Sequence, residues 1–262
     1  MKKDRRMEQF KIDLREGAKV DKVYGIVSGK GGVGKSLVTS LLANETALRG
    51  LNTAIFDADI TGPSIPKCYG IDTKAGVEGD LMIPVKSANG IQVMSINLIL
   101  EDVTQPVIFR GPVIANTVRQ FWTNVFWNDV DIMFVDMPPG TGDVPLTVFQ
   151  SLPLDGIIVV ASPQDLVNMV VEKAINMANV MRIPIIALVE NMSYFECRDC
   201  GKKHKIYGDS HLKEIAAKHK PTKDAPIVEI PILPELAALC DAGKVYDYKN
   251  HYFDSIMDAI VN

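Results

Sequence analysis

Residues Ser28 to Ser36 read SGKGGVGKS. Four glycines, Gly29, Gly31, Gly32 and Gly34, let such a chain turn tightly and point successive N–H groups at phosphate oxygens. Lys35 would reach the β- and γ-phosphates of a nucleotide, and the Ser36 hydroxyl would bind Mg²⁺. The spacing Gly29-x-x-x-x-Gly34-Lys35-Ser36, with Val33 inside it, is the Walker A pattern, so ATP and Mg²⁺ are the implied cofactors. Lys30 is a second cation that a phosphate loop does not need. It is either a solvated surface lysine or a charge supplied in trans to the transferring phosphoryl group, as an arginine finger is. The second role requires two subunits facing each other across their nucleotides, and hence a homodimer.

Three carboxylates end apolar runs elsewhere in the chain. Asp136 closes VDIMFVD, the form of a Walker B carboxylate that holds Mg²⁺ directly or through water, or else a turn cap. Asp57 and Asp59 end NTAIFDAD. Asp59 is assigned to orienting or activating the attacking water, and Asp57 to the water shell of Mg²⁺; both could instead cap the turn. The catalytic candidates are therefore Lys30, Lys35 and Asp59. Gly140-Thr141-Gly142-Asp143 is a candidate γ-phosphate switch or a rigid turn. Asn191, after IPIIALVE, suits the edge of adenine or a local turn.

A different chemistry is written at Cys197 and Cys200, in YFECRDCGKKHKIYG. A C-x-x-C knuckle lets two thiolates face one metal or cluster, but a closed site needs four ligands. Two chains would supply them, and four thiolates suit a [4Fe–4S] cluster or Zn²⁺. A redox dithiol is the third option. His204 is either a third ligand or a solvated side chain, and Lys202, Lys203 and Lys205 either offset thiolate charge or are solvated. Cys68 and Cys240 read as buried small hydrophobes.

The elements that must position these groups alternate. Strands are expected at Lys22–Ser28, Thr53–Asp57, Ile91–Ile96, Asp131–Asp136, Gly156–Ala161, Pro184–Val189 and Ile227–Ile230. Helices are expected over Lys35–Gly50, Asp165–Met181 and Ser210–Lys218. Continuous apolar strands such as GIIVVAS imply an α/β fold, a mostly parallel β-sheet with helices on both faces, as in a P-loop NTPase. The Gly/Pro-rich stretch from 62 to 90 reads as one long loop, functional or merely connecting. Residues 1–21 read as a flexible arm, and 22–262 as one ATPase domain with an inserted cysteine loop near 192–208.

Composition narrows the class. The chain has 262 residues, is 47% hydrophobic and 23% charged, and carries a formal net charge of −4, which argues against coating nucleic acid. No apolar run is long enough to span a membrane, and the charged start is no signal-peptide core, so a cytoplasmic protein is expected. The ending FDSIMDAIVN places Phe253, Ile256, Met257 and Ile260 at helical spacing among acidic rather than basic residues, which suits core packing and not a membrane surface.

In combination, KGGVGKS, FDADITGPSIPKCYG, FVDMPPGTGD, ASPQDLVNMVVEKAINMANV and VENMSYFECRDCGKKHKIYG resemble the Mrp-type iron–sulfur cluster carrier ATPases. These belong to the dimeric ATPases with a deviant Walker A motif. The resemblance runs from about Lys22 to about Val245. It implies an ATP-dependent homodimer that binds a [4Fe–4S] cluster through Cys197 and Cys200 and passes it to apo iron–sulfur proteins. It also implies that Lys30 reaches the partner's nucleotide, and that Gly29 to Ser36, Asp59 and Asp136 form the nucleotide site. The arm lacks the extra cysteine cluster of some eukaryotic relatives. Two other functions remain open: a zinc-bridged dimeric ATPase that regulates a partner, and a positioning or partition ATPase.

Overall fold

Strand β1 (Val20–Ser28) lies at the centre of an eight-stranded sheet, and its C-terminal end delivers the chain into the glycine loop. The elements follow as α1 (Lys35–Leu48), β2 (Thr53–Asp57), α2 (Ile65–Cys68), β3 (Gly76–Glu78), β4 (Leu81–Ile83), β5 (Val85–Lys86) and β6 (Gln92–Met94). The second half gives α3 (Gly111–Asn124), β7 (Val130–Asp136), α4 (Asp143–Ser151), β8 (Gly156–Ala161), α5 (Asp165–Val180) and β9 (Ile185–Glu190). It ends with β10 (Phe195–Glu196), β11 (Lys203–His204), α6 (Leu212–Lys218), β12 (Ile227–Glu229), α7 (Pro234–Asp241) and α8 (Asp254–Val261). This computed structural model describes residues 12–60, 62–100, 111–140, 142–163, 165–219 and 222–261.

The sheet order is β12-β9-β8-β1-β7-β2-β6-β5. Every pairing is parallel except that of the edge strand β5 with β6. All residues of β2 and β8 are buried, as the continuous apolar runs require of strands covered on both faces. Register then fixes the chemistry. Ile26 pairs with Asp136 and Asp136 with Asp57, so two carboxylates stand side by side at the C-terminal edge beside the glycine loop. That edge, where the strand order departs in both directions from β1, is where open α/β sheets bind ligands.

Three expectations are corrected. Residues 12–19 are not a free arm. The Ile12 N–H donates to Ser151 O at 3.1 Å, Trp122 Nε1 donates to Ile12 O at 2.7 Å, and Lys19 N–H donates to Trp127 O at 3.0 Å. Ile12, Leu14 and Ala18 pack against the core, so the apolar positions there outweigh the charged ones between them. Residues 1–11 lie outside the described residues. The stretch 62–90 is not one loop. It folds into α2, the hairpin of β3 and β4, and the edge strand β5, all too short to show a period in the sequence. Strand β6 ends at Met94 rather than Ile96, because Ser95 leaves the ladder to point its hydroxyl at Asp57.

Helix α1 ends as expected ahead of Gly50, whose N–H reaches Ala47 O at 3.0 Å. Leu41 and Leu42 are buried, whereas Leu48 is exposed. A polar lattice anchors α2 to α1: the Tyr69 hydroxyl donates to Ser40 O at 3.1 Å and lies 2.9 Å from Asn44 Oδ1. Asn44 Nδ2 in turn donates to Val245 O at 3.0 Å. The last helix packs Ile256, Met257 and Ile260 into the core, with Phe253 buried just before it.

Candidate functional site

Gly34 has φ 83° and precedes α1, whose first N–H groups carry no side-chain cap. The left-handed backbone there is reserved for glycine, and a Cβ on Gly34 would lie 2.2 Å from Asn191 Nδ2. Asn191 earns that proximity by donating Nδ2 to Val33 O at 2.9 Å, which ties the loop to the end of β9. Asn191 is also among the residues lining the cavity. The loop is closed on its other side by Gly140 N–H donating to Ser28 O at 2.8 Å, while the Ser28 hydroxyl donates to Lys30 O at 3.0 Å. Of the four-residue switch candidate, Thr141 lies outside the described residues.

The loop walls a cavity of about 610 Å³ that includes Gly31, Gly34, Lys35, Ser36 and Asp59. Lys35 is buried, with Nζ 2.7 Å from Asp136 Oδ1 and 3.7 Å from Asp59 Oδ2. Neither contact meets hydrogen-bond geometry, so the buried ammonium beside the cavity is ion-paired but lacks a hydrogen-bond partner. A buried donor left unsatisfied is costly, and a phosphate oxygen would satisfy it. Asp136 is fully buried and held from α1: Ser36 Oγ donates to its Oδ2 at 2.6 Å and Thr39 Oγ1 to its Oδ1 at 2.8 Å. Thr39 was not singled out from the sequence; its position three residues after Ser36, on the same helix face, is the signal for it.

Asp57 is also fully buried. Its Oδ1 accepts the Asp59 N–H at 3.2 Å and its Oδ2 accepts the Ser95 hydroxyl at 2.9 Å. Burial pushes its carboxyl well above the usual range, and the neighbouring Asp136 adds to the rise; Lys35 opposes it. Three carboxylates thus gather around one ammonium, an excess of buried negative charge that a divalent cation would offset. Lys30 is exposed and does not line the cavity.

The raised Asp57 carboxyl has a measurable consequence. The folded chain holds that proton to higher pH than the unfolded chain does, so its stabilising effect is full at low pH. It is lost as pH rises from the ordinary aspartate range through the folded value. An amide keeps the Asp59 N–H bond on its oxygen and can donate its NH₂ to the Ser95 hydroxyl oxygen in place of accepting from it, without the charge. Asp57→Asn is expected to stabilise the ligand-free protein at pH 7 by about 1–3 kcal/mol, the scale of relieving an uncompensated buried polar group. The gain should shrink toward pH 4, and thermal unfolding across that range checks it. A variant less stable than wild type at pH 7 would show that the carboxylate is compensated.

The cysteines sit on a separate hairpin. Strands β10 and β11 pair Phe195 with His204 and Glu196 with Lys203. Cys197 N–H donates to Lys202 O at 3.0 Å and Gly201 N–H to Cys197 O at 2.8 Å, closing a tight knuckle. The backbone N–H groups of Cys200 and Asp199, then the Cys200 thiol, hold Cys197 below the usual thiol range. Cys200 is exposed and Cys197 half-buried. No three His, Cys, Asp or Glu side chains gather to hold a metal among the described residues, and so His204 does not complete a set within one chain. Lys203 lies over the Tyr194 ring at 4.2 Å, and Lys205 pairs with Asp209 at 2.8 Å.

Two contacts join the hairpin to the cavity. Buried Glu190, next to Asn191, accepts the hydroxyls of Ser193, at 2.6 Å, and of Ser210, one at each end of the inserted loop. Arg198, between the two cysteines, pairs at 2.8 Å with Glu235 of α7, a helix that walls the cavity. Glu190 was visible as a strand-end carboxylate but was not singled out. Cys68 and Cys240 depart from expectation: both are only half-buried, both line the cavity, and each perturbs the other's thiol, Cys68 upward and Cys240 downward.

Among the described residues no helix is long and apolar enough to cross a membrane. Known proteins agree with the geometry. An iron–sulfur cluster carrier protein of Clostridium perfringens (strain 13 / Type A) is 40% identical over 238 residues, 87% of this chain and 82% of the relative. One of Methanocaldococcus jannaschii is 44% identical over 205 residues, 77% of this chain and 71% of the relative. Among solved structures, a nucleotide-binding protein from Archaeoglobus fulgidus in complex with ADP superposes with a TM-score of 0.79 at 40% identity, covering 90% of this chain and 91% of that one. The cell-division protein MinD in its complex with MinC from Aquifex aeolicus shares the fold, with a TM-score of 0.64 at 20% identity over 92% of this chain and 94% of that one. The ParA family model described as NUBPL iron-transfer P-loop NTPase matches residues 19–262, and the chain belongs to that family.

Proposed function

We propose that this chain is an ATPase that carries a [4Fe–4S] cluster between two subunits and passes it to apo iron–sulfur proteins in the cytoplasm. The observation that carries the reading is the knuckle. It offers two thiols at an exposed hairpin, one of them favoured as thiolate by backbone N–H groups, and no third ligand among the described residues. A second copy would supply the missing pair, and four thiolates suit the cluster. The names of the relatives, cluster carrier proteins, favour iron and sulfide over zinc as the cargo.

In the nucleotide site, Lys35, which lines the cavity and lacks a hydrogen-bond partner, would bind the β- and γ-phosphates. Ser36 and Asp136 would hold Mg²⁺, which supplies charge neutralisation at the phosphates when bound. Asp59, at the cavity wall, would orient the attacking water, and Asp57 would face the water shell of the metal. Gly29 to Gly34 would cradle the phosphates, and Asn191 would meet the base edge or hold the loop against it.

Anaerobic purification, with iron, sulfide and zinc measured on one sample beside its absorption spectrum and mass in solution, tests the reading. Iron and sulfide in equal amounts on a dimer, lost on incubation with an apo iron–sulfur protein that gains activity, are expected. Stoichiometric zinc without sulfide would favour a zinc-bridged regulator instead.

A further inference from the structure

Cys68 ends α2 and Cys240 lies near the end of α7, in segments far apart in sequence. The fold brings them together on the wall of the nucleotide cavity. The turns that follow the two helices meet backbone to backbone. Gly70 N–H donates to Lys67 O at 3.1 Å and Gly243 N–H to Cys240 O at 3.1 Å. A Cβ on Gly243 would lie 2.6 Å from Gly70 Cα, and one on Gly70 would lie 2.9 Å from Gly243 O. Both glycines have positive φ, 62° and 70°. No side chain fits between these turns, so the ends of α2 and α7 that carry the two cysteines are held close to each other. The pair is independent of the cysteine hairpin, since neither Cys197 nor Cys200 lines this cavity.

We propose that Cys68 and Cys240 form a thiol–disulfide exchange site in the wall of the nucleotide pocket, and that the bridge weakens nucleotide binding. The oxidant is a small-molecule disulfide, RSSR. Cys240 Sγ, as thiolate, attacks one sulfur of RSSR, forming a Cys240–S–S–R mixed disulfide and releasing one RS⁻. Cys68 loses its proton to solvent and its Sγ attacks Cys240 Sγ, forming the Cys68–Cys240 bond and expelling the second RS⁻. Two protein thiols are oxidised, one disulfide is reduced to two thiols, and the two protein protons end on the released thiols. The order of attack follows the two directions: the neighbouring Cys68 lowers the Cys240 thiol from its ordinary value, and Cys240 raises that of Cys68. The lower thiol is the first nucleophile. Both thiols are half-exposed at an open cavity, so a small disulfide can reach them.

An S–S bond of about 2.05 Å is shorter than any hydrogen-bonded thiol pair, so the bridge draws α2 and α7 together. Helix α2 follows the Asp59–Gly62 segment, and α7 supplies Leu236 and Ala237 to the lining of the same cavity. A staple across them narrows and fixes the wall that a nucleotide must fit.

The experiment uses the full chain with C197S/C200S, which leaves two of its four cysteines and removes the hairpin thiols from the readout. After treatment with glutathione disulfide, non-reducing peptide mapping should show a Cys68–Cys240 cross-link, with no glutathione retained. Adding C68S should instead trap one glutathione on Cys240. The affinity for ADP should fall several-fold in the cross-linked protein and return with a dithiol reductant. Two thiols that stay free in the folded protein, or that each keep a glutathione, would overturn the exchange site. A cross-link that leaves ADP affinity unchanged would overturn its effect on the pocket. Neither result bears on cluster carriage, which the hairpin cysteines test separately.

Discussion

Cys197→Ala and Cys200→Ala, made separately, should each reduce reconstituted iron and sulfide to background while nucleotide binding stays at the wild-type level. Each substitution removes two of the four thiolates that a symmetric dimer would bring to one cluster, because the change is present in both copies. The remaining pair cannot enclose a cluster, and no third ligand stands nearby among the described residues to replace the loss. The nucleotide cavity is insulated from the change. The hairpin touches it through the Arg198–Glu235 pair and the Glu190 hydroxyl contacts, and neither cysteine takes part in either. Iron and sulfide assays after anaerobic reconstitution, with a nucleotide titration on the same preparation, give both readouts. Equal cluster content in either variant would remove the cysteine pair from the cluster site. A parallel loss of nucleotide affinity would mean that the hairpin and cavity are one cooperative unit.

The phosphate loop was legible because its information is local: glycines, a lysine and a serine at fixed offsets act through the backbone of one turn. The carboxylates were nearly as legible, because a charged residue closing an apolar run marks a strand end. That Asp57 and Asp136 stand side by side is a matter of register between β2 and β7, which the run lengths only hinted at. What escaped reading depends on pairs distant in sequence. Cys68 and Cys240 each look like small hydrophobes in their own windows, and only the packing of α2 on α7 makes them a pair. The hairpin of β3 and β4 escaped because strands of three residues carry no period. Residues 12–19 were misread because the charges at 2–6 colour the whole segment, although Ile12 and Leu14 bind it to the core.

Lys35 and Lys30 should fail differently when replaced. Lys35 is the buried cation that lines the cavity and that no hydrogen bond satisfies, so Lys35→Ala should weaken nucleotide binding itself. A charge-assisted hydrogen bond contributes about 1.5–3 kcal/mol, or about 10–100-fold in affinity. Because Asp136 and Asp59 then lose their counter-ion, thermal unfolding of the variant must accompany the titration. Lys30 is exposed and is not among the residues lining the cavity, so Lys30→Ala should leave nucleotide affinity in one subunit nearly unchanged. Its loss should appear in turnover, by about 10–10³-fold, less than the 10³–10⁵ typical of an arginine finger. A lysine that also meets ground-state phosphates contributes to rate only through the difference between the two states. Mixing the variants separates a role in trans from one in cis. In a mixed dimer, the subunit carrying Lys30→Ala keeps its own Lys35 and receives the partner subunit's Lys30. That single site should turn over, so an equal mixture of the two impaired variants should regain about a quarter of the wild-type rate after subunit exchange. With Lys30 acting in cis, no site in the mixture is complete and no activity returns. Wild-type turnover in Lys30→Ala alone would make the second lysine of the loop a solvated surface charge, and the dimer would then rest on the cysteines.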